Sequence, residues 1–430
     1  MDSLQSLGHA AHLVALLAVV LLLARVGRSA ARRLRQPEVI GEIVVGLLSG
    51  PAVLRLLGQD TFDAVLPGSA LEALKYVAKA GLVLFLVGLA HELRARSGVE
   101  RRATLWLAAG SLVPPLFAGT LLAGFVLIED DPAVRGDAPL PAFVLMVAVT
   151  MSITAVPVLA RILADRGMST TSAGRLALAA AVAIDSVGWL LCMLAISLNT
   201  GSATGFLHSL LGIGVGAAGA LAVRYGVRVT AVGRACALRP RTATVVLGAA
   251  ALAVALAVEH LGMTAILGAA LVGLAIPTGD DTPWTPVVAN LTRAGRALVP
   301  AFFVVTGITV LDKAFSQLSW ALLVTTLVLA CAGKGIGGYL GARLGGQSPG
   351  ASRRIAVLMN ARGLTELIVL QAGFSAGILT APLVLALTLM AVATTAATGP
   401  LLGLLDRGAS GPEPARTPEP VAAAAESGTR

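Results

Sequence analysis

Long apolar stretches alternate with short polar segments along almost the whole chain. Each stretch is close to the roughly 20 apolar residues that a helix needs to cross a bilayer, and charged residues, glycine or proline bound most of them. The pattern predicts thirteen membrane-spanning helices, at 8–27, 37–54, 76–93, 104–128, 142–164, 173–198, 205–223, 243–259, 263–277, 297–311, 318–342, 353–377 and 380–405. This odd number places the two ends of the chain on opposite sides of the membrane.

Composition and charge also indicate an integral membrane protein. Of the 430 residues, 56% are hydrophobic and only 13% are charged, whereas about a quarter is usual in soluble domains. The net charge of +9 does not indicate nucleic acid, because arginines collect after odd-numbered spans and the opposite loops hold only Arg55, Lys75, Arg135 and Lys313. We therefore expect a bacterial-type plasma-membrane protein with an outside amino terminus and a cytoplasmic carboxyl terminus. Segment 406–430 is rich in Ala, Pro, Glu and Gly, a composition that predicts a disordered cytoplasmic tail.

Two predicted spans contain residues that interrupt a membrane helix. The fifth holds Pro157, which removes a backbone donor and frees the carbonyl one turn earlier. The twelfth puts five polar or flexible residues at membrane depth, namely Asn360, Arg362, Gly363, Thr365 and Glu366. Interrupted helices at near-equivalent positions in two halves indicate a secondary transporter with inverted repeats. The alternative is a kinked fifth helix and a shallow twelfth span.

Asp185 is the first candidate for ion chemistry. It lies near the middle of the sixth span, which holds no other acidic residue. A charge at the bilayer centre costs roughly 3 kcal/mol on insertion scales, so this carboxylate should be protonated, paired or bound to an ion. Thr154 and the carbonyls freed by Pro157 would supply the neutral oxygens that replace an ion's water. The alternative is a protonated, structural Asp185.

Four other charged residues inside spans are candidates for supporting roles. Lys334 lies in a repeat that predicts a close-packing helix face, Gly333, Gly337, Gly341 and Gly345. It would oppose the negative ends of broken half-helices or pair with an acid, unless it snorkels to the membrane boundary. Arg362 and Glu366 are four residues apart and predict a local salt bridge with a structural or gating role. Glu42 is predicted to be a structural acid near the start of the second span.

No cofactor, resident metal or catalytic site is indicated. The GxGxxG of Gly214, Gly216 and Gly219 lies inside an apolar span and predicts helix packing. The histidines and cysteines are too dispersed for a metal site. Because no nucleophile, base and orienting residue occur together, an enzyme is not expected. The expected partners are the lipid bilayer, cations and protons.

Six motifs follow one another along the chain: QPEVIGEIVVGLLSGP, GLVLFLVGL, MSITAVPVLARILADRG, LVPAFFVVTGI, GKGIGG and MNARGLTELIVL. In these motifs and their order the chain resembles the monovalent cation:proton antiporter-2 family, from about Leu34 to Leu402. The resemblance implies the sodium/proton antiporter fold, an all-α polytopic membrane protein of about thirteen helices with two crossed discontinuous helices. It also implies a homodimer and elevator-like alternating access.

The resemblance assigns roles residue by residue. Asp185 matches the ion-binding aspartate, Thr154 the threonine of the first unwound helix and Lys334 the lysine of the GK motif. Arg362 and Glu366 match the basic and acidic positions of NxRGLxEL. Within a membrane domain at 1–405, the family implies core helices at about 104–198 and 318–405, dimerisation or scaffold helices at about 8–93 and 243–311, and a linker helix at 205–223.

The chain departs from the family pattern at three positions. Ile184 stands where many relatives have Asp or Asn, Ala90 stands in place of a glutamate, and Thr309 in place of a frequent arginine. We also expect no regulation through a nucleotide-binding domain such as that of the Kef-type potassium efflux systems. The leading hypothesis is electroneutral exchange of Na⁺ or K⁺ for protons at Asp185, with the choice of ion open. Proton-coupled export of an organic solute and a non-transporting membrane sensor or subunit are the alternatives.

Overall fold

The computed structural model describes residues 2–34, 36–57, 66–95, 101–279, 282–310 and 319–408. In this part of the chain every regular element is a helix and no strand is present. The helices are α1 (Asp2–Arg33), α2 (Glu38–Leu57), α3 (Gly68–Ala95), α4 (Arg101–Glu129), α5 (Pro132–Arg135), α6 (Leu140–Ser152), α7 (Val156–Asp165), α8 (Ser172–Thr200), α9 (Thr204–Arg228), α10 (Thr230–Leu238), α11 (Pro240–His260), α12 (Ala265–Ala275), α13 (Trp284–Val310), α14 (Trp320–Leu344), α15 (Pro349–Met359), α16 (Leu364–Ser375) and α17 (Ala381–Gly408).

The predicted all-α polytopic fold is confirmed. Among the described residues, 10 helical runs are long and apolar enough to cross a membrane, and one of these runs is the pair α6 and α7. Three further elements correspond to the remaining predicted spans: α2, the short apolar α12, and the pair α15 and α16. The thirteen predicted spans therefore all correspond to helices or helix pairs.

Several helices extend beyond the predicted spans. α13 begins at Trp284 although the apolar pattern begins at 297, because backbone hydrogen bonding continues through polar residues such as Arg293. α5 and α10 are short helices between predicted spans, where the apolar pattern predicts no helix. α17 continues to Gly408, so the first residues of the predicted tail 406–430 are helical, and residues 409–430 lie outside the described part.

The helices pack in two groups. In one group α3 packs along α12 and α13, and α2 packs on α1 and α13; in the other, α4 packs along α6 and α14, and α8 packs on α4 and α6. The close approach of α14 to α4 requires glycine, because a Cβ on Gly337 or Gly341 would overlap the backbone around Gly110. The predicted close-packing face of α14 is confirmed.

Candidate functional site

The two interrupted spans meet where their helices stop. A few residues without helical structure separate α6 from α7, and α15 from α16. Between the two breaks, the backbone N–H of Ala155 donates to Ala361 O at 3.3 Å, and Thr154 Oγ1 donates to Met359 O at 3.3 Å. The predicted crossing of two discontinuous helices is therefore present.

Pro157 and Gly363 lie where the second half of each interrupted span begins. Pro157 is in the first turn of α7, where a backbone N–H would have no helical partner. Gly363 directly precedes α16 with a φ of 155°, and a Cβ there would lie 2.6 Å from Val158 Cγ2. Backbone conformation and close packing therefore both require glycine at this position.

Arg362 neutralises the carboxyl end of α6. The buried guanidinium donates from Nη1 to Thr150 O at 3.2 Å and from Nη2 to Met151 O at 2.6 Å. The unpaired carbonyls at a helix end carry partial negative charge, which a cation stabilises. Nη1 also lies 3.2 Å from Glu366 Oε1, so the predicted local salt bridge forms. One guanidinium thus joins the two breaks.

Lys334 occupies a cradle of three oxygens beside the same helix end. Its buried ammonium donates to Ser152 O at 2.5 Å, Thr154 Oγ1 at 2.6 Å and Ser111 O at 3.0 Å. An ammonium has three donors, and these oxygens use all of them. Within the described residues no carboxylate lies at ion-pair distance from Lys334. Lys334 was predicted either to oppose the negative end of a half-helix or to pair with an acid, and the structure shows the first arrangement.

Asp185 lies on α8 beside the crossing. Gly188, one turn further along α8, faces the first break, since a Cβ there would lie 3.0 Å from Ile153 Cγ1. Asp185 is only 3% exposed, and its Oδ2 accepts a hydrogen bond of 3.1 Å from Thr264 Oγ1. In the described part of the chain no cationic side chain pairs with this carboxylate. The structure therefore brings Lys334, Thr154 and Arg362 together and leaves Asp185 with a neutral partner.

A cavity of about 680 Å³ lies between the two helix groups. Its walls include Leu178 and Val182, which share a face of α8 with Asp185, and Val156 at the start of α7. Most of the other lining side chains are apolar and come from α3, α4 and α12. The cavity thus reaches the turn of α8 that precedes Asp185.

Comparison with known proteins decides the family. The family model of the transmembrane sodium/hydrogen exchangers matches residues 17–405. The chain belongs to the sodium/hydrogen exchanger family. The predicted membership of a monovalent cation:proton antiporter family is confirmed, and the family is one of transporters rather than enzymes.

Individual relatives of this exchanger-family chain cover nearly all of it. It is 34% identical over 410 residues to Cation/H(+) antiporter 17 of Arabidopsis thaliana, which is 92% of this chain but 48% of that protein, so the chain spans about half the length of that relative. It is 31% identical over 404 residues to Na(+)/H(+) antiporter NhaS4 of Synechocystis sp., covering 89% of this chain and 94% of the relative. The sodium proton antiporter MjNhaP1 of Methanocaldococcus jannaschii shares the fold, with a TM-score of 0.66 at 16% identity over 93% of this chain and 97% of that one.

Glu42 belongs to a charge network at another place in this exchanger fold. It is fully buried on α2, with Oε1 3.4 Å from Arg28 Nε and 3.8 Å from Arg161 Nη2. Arg161, on the half-helix α7, also lies 3.1 Å from Glu38 Oε2 and 3.1 Å from Asp165 Oδ1. The network therefore fastens α2, from one helix group, to half of the first interrupted span.

Sequence reasoning missed two residues that the structure brings to these sites. Arg161 could have been found, since it is an ionisable residue inside the predicted span 142–164. Thr264 directly precedes the apolar run of α12, a position typical of an N-cap, and its Oγ1 does accept from Leu267 N at 3.4 Å. That signal predicts a helix start, whereas the contact with Asp185 depends on tertiary packing.

Proposed function

We propose that this chain is a secondary active transporter that exchanges a monovalent cation, Na⁺ or K⁺, for protons, with Asp185 as the shared site. The observation that carries the proposal is the buried carboxylate of Asp185, which lies beside the crossing of two broken helices and has no cationic partner among the described residues. Such a carboxylate is costly to leave charged, so a proton or a cation stabilises it in turn. The names of the relatives, which include cation and sodium antiporters, support the same exchange.

The other candidate residues are proposed to support this exchange. Thr154 is the proposed neutral ligand, and its hydroxyl now accepts from Lys334 Nζ at 2.6 Å. A cation that uses this oxygen must displace the ammonium or take the remaining lone pair. Arg362 binds both Glu366 and the end of α6, which favours a structural role for the pair.

Exchange at a single carboxylate is expected to be electroneutral, because one proton and one monovalent cation carry the same charge. Ile184 adds no second carboxylate next to Asp185. A pH gradient would drive exchange with about 1.4 kcal/mol per pH unit. A membrane potential, worth about 2.3 kcal/mol per charge per 100 mV, would contribute nothing to the net exchange. Strong acceleration of the exchange by a membrane potential, with the pH clamped, would contradict this stoichiometry.

We assign alternating access to an elevator-like movement of one helix group against the other. The proposed core comprises α4, α6 to α8 and α14 to α17, the scaffold comprises α1 to α3 and α11 to α13, and α9 is the linker. The support is the packing into two groups and the cavity between them. A homodimer through the scaffold, with the amino terminus outside and the carboxyl terminus in the cytoplasm, completes the proposal.

The test is proton flux in vesicles that contain the purified chain. With an imposed pH gradient, Na⁺, K⁺ or Li⁺ should dissipate the gradient in the wild type and choline should not. Asp185→Asn should abolish this flux, because the amide holds neither proton nor cation. Asp131→Asn is the matched control, since Asp131 is an exposed cap of α5 and asparagine also caps helices. Equal flux in wild type and Asp185→Asn, or no response to any cation in folded protein, would refute the proposal.

One observation favours a second candidate, proton-coupled export of an organic solute. The cavity beside α8 has a volume of about 680 Å³ and mostly apolar walls, which is far more space than a single cation needs. If the vesicles show no cation response, addition of amphipathic organic solutes should dissipate the gradient in the wild type and not in Asp185→Asn. A cation response without a solute response would exclude this candidate.

A further inference from the structure

The hydrogen bond to Asp185 comes from outside its own helix group. Thr264 precedes α12, which packs along α3 and α11, whereas Asp185 lies on α8, which packs on α4 and α6. The distance from Thr264 Oγ1 to Asp185 Oδ2 is 3.1 Å. The contact therefore connects the two helix groups directly at the carboxylate.

Side chains hold the loop before Thr264 in this position. Trp189 Nε1, one turn beyond Asp185 on α8, donates to Gly262 O at 2.5 Å, and Ser209 Oγ on α9 donates to the same carbonyl at 2.9 Å. Gly262 has a φ of 82°, a left-handed conformation that favours glycine. Because one side chain from α8 and one from α9 bind the carbonyl of Gly262 in this short loop, the hydroxyl of Thr264 is held in place facing the carboxylate.

A threonine hydroxyl suits both states of an exchange site. Its hydrogen donates to a bare carboxylate, and the lone pair that the bond from Leu267 N leaves free can coordinate a cation once the hydroxyl rotates. The change needs no backbone movement. On α8 the neighbour Ile184 offers no side-chain oxygen, and the hydroxyl of Ser186 donates to Val182 O of its own helix at 3.0 Å. The neutral oxygen that contacts Asp185 therefore comes from Thr264, directly before α12.

We propose that Thr264 is a specificity-determining residue of the exchange site, donating to Asp185 when the site is empty and coordinating the cation when it is loaded. The inference rests on the proposed exchange at Asp185. Since the two residues belong to different helix groups, the site has its full set of oxygens only while α8 lies against the loop. Separation of the two groups removes the oxygen of Thr264 and lowers the affinity for the cation.

The test compares two substitutions in vesicles with Na⁺, K⁺ and Li⁺ as probes. Thr264→Val keeps the shape and removes the hydroxyl, and should raise the KM for the transported cation about tenfold or more, because one bond to a charged group is lost. Vmax should change less than KM. Thr264→Ser keeps the hydroxyl and should stay within about threefold of the wild-type KM, with the same order of cations. A cation-dependent rise in Tm of purified protein should shrink in Thr264→Val and persist in Thr264→Ser.

A control separates this role from helix capping, which Thr264 also performs. Thr171 caps α8 through a bond of 3.0 Å from Gly174 N, and the residue is exposed. Thr171→Val should lower the Tm of the ion-free protein as Thr264→Val does, and leave the KM unchanged. An unchanged KM in Thr264→Val, or equal increases in the valine and serine variants, would overturn the proposal. If Thr264→Val does not fold, Thr264→Ala replaces it with the same expectations.

Failure of this inference is distinguishable from failure of the proposed function. A wild type that exchanges cations for protons, an inactive Asp185→Asn and a Thr264→Val of unchanged KM would refute only the role of Thr264. A wild type without cation-dependent flux and without a cation-dependent Tm would refute both.

Discussion

The two helix breaks cross at one point, yet they are stabilised in different ways. At the end of α6, the cationic side chains of Arg362 and Lys334 donate to the last carbonyls. At the end of α15, the corresponding carbonyls accept from two backbone amides and from the hydroxyl of Thr154. The first break is therefore stabilised by charged side chains, and the second by neutral hydrogen-bond donors.

The difference shows that the first break depends on residues far away in the sequence. Arg362 belongs to the second break and Lys334 to α14, so both cations come from the second half of the chain. The end of α6 is also close to the helix of the candidate site, because Ile153 packs against Gly188, one turn from Asp185 on α8. The two cations offset the partial negative charge of this helix end.

The largest expected effect comes from removing the guanidinium that joins the breaks. Arg362→Met should lower the free energy of unfolding by about 3 to 5 kcal/mol, because it leaves Glu366 and two buried carbonyls without their partner. Thermal unfolding of the purified protein measures the loss. The double variant with Glu366→Gln should recover the part that comes from the uncompensated carboxylate.

The matched control for this prediction is an arginine in a different environment. Arg343 is exposed at the end of α14 and donates to Gln347 O at 2.5 Å. Arg343→Met should change stability by less than about 0.5 kcal/mol. If both arginine variants had the same Tm, the first break would not depend on the charge of Arg362.

The sequence predicted the pairing within the second break but not the contact between the breaks. Arg362 and Glu366 are four residues apart on one helical turn, so their salt bridge follows from local geometry. The bonds from Arg362 to Thr150 O and Met151 O join distant parts of the chain, and backbone carbonyls have no sequence signature. Apolar runs and interrupting residues likewise predicted the thirteen spans, because length and hydropathy are local properties.

A smaller effect on stability is expected at Gly363, because the two breaks differ in backbone conformation. Gly363→Ala should lower the free energy of unfolding by about 1 to 3 kcal/mol, because residues other than glycine rarely adopt a φ of 155°. The overlap of the added Cβ with Val158 should increase this loss. In the first break the residue directly before α7 is Ala155, with a φ of -73° that needs no glycine. The Tm of Gly363→Ala should therefore fall.

The control for Gly363 is a glycine with an ordinary conformation. Gly335 lies inside α14, and a Cβ there would meet nothing within 4 Å. Gly335→Ala should raise the free energy of unfolding by about 0.5 to 1 kcal/mol, because alanine is the better helix former. Effects of the same sign at both glycines would mean that the conformation of Gly363 is not the source of the loss.

The smallest expected effect concerns Thr154, the side chain that links the charged and neutral arrangements. Its hydroxyl accepts from Lys334 Nζ at 2.6 Å and donates to Met359 O at 3.3 Å, so Thr154→Val removes one contact from each break. We expect a loss of about 1 to 2 kcal/mol in unfolding free energy. Thr150→Val is the comparison, since the hydroxyl of Thr150 donates only to Val147 O within its own helix and its loss should matter less. A larger loss in Thr150→Val would show that hydroxyls within α6 matter more than the crossing contact.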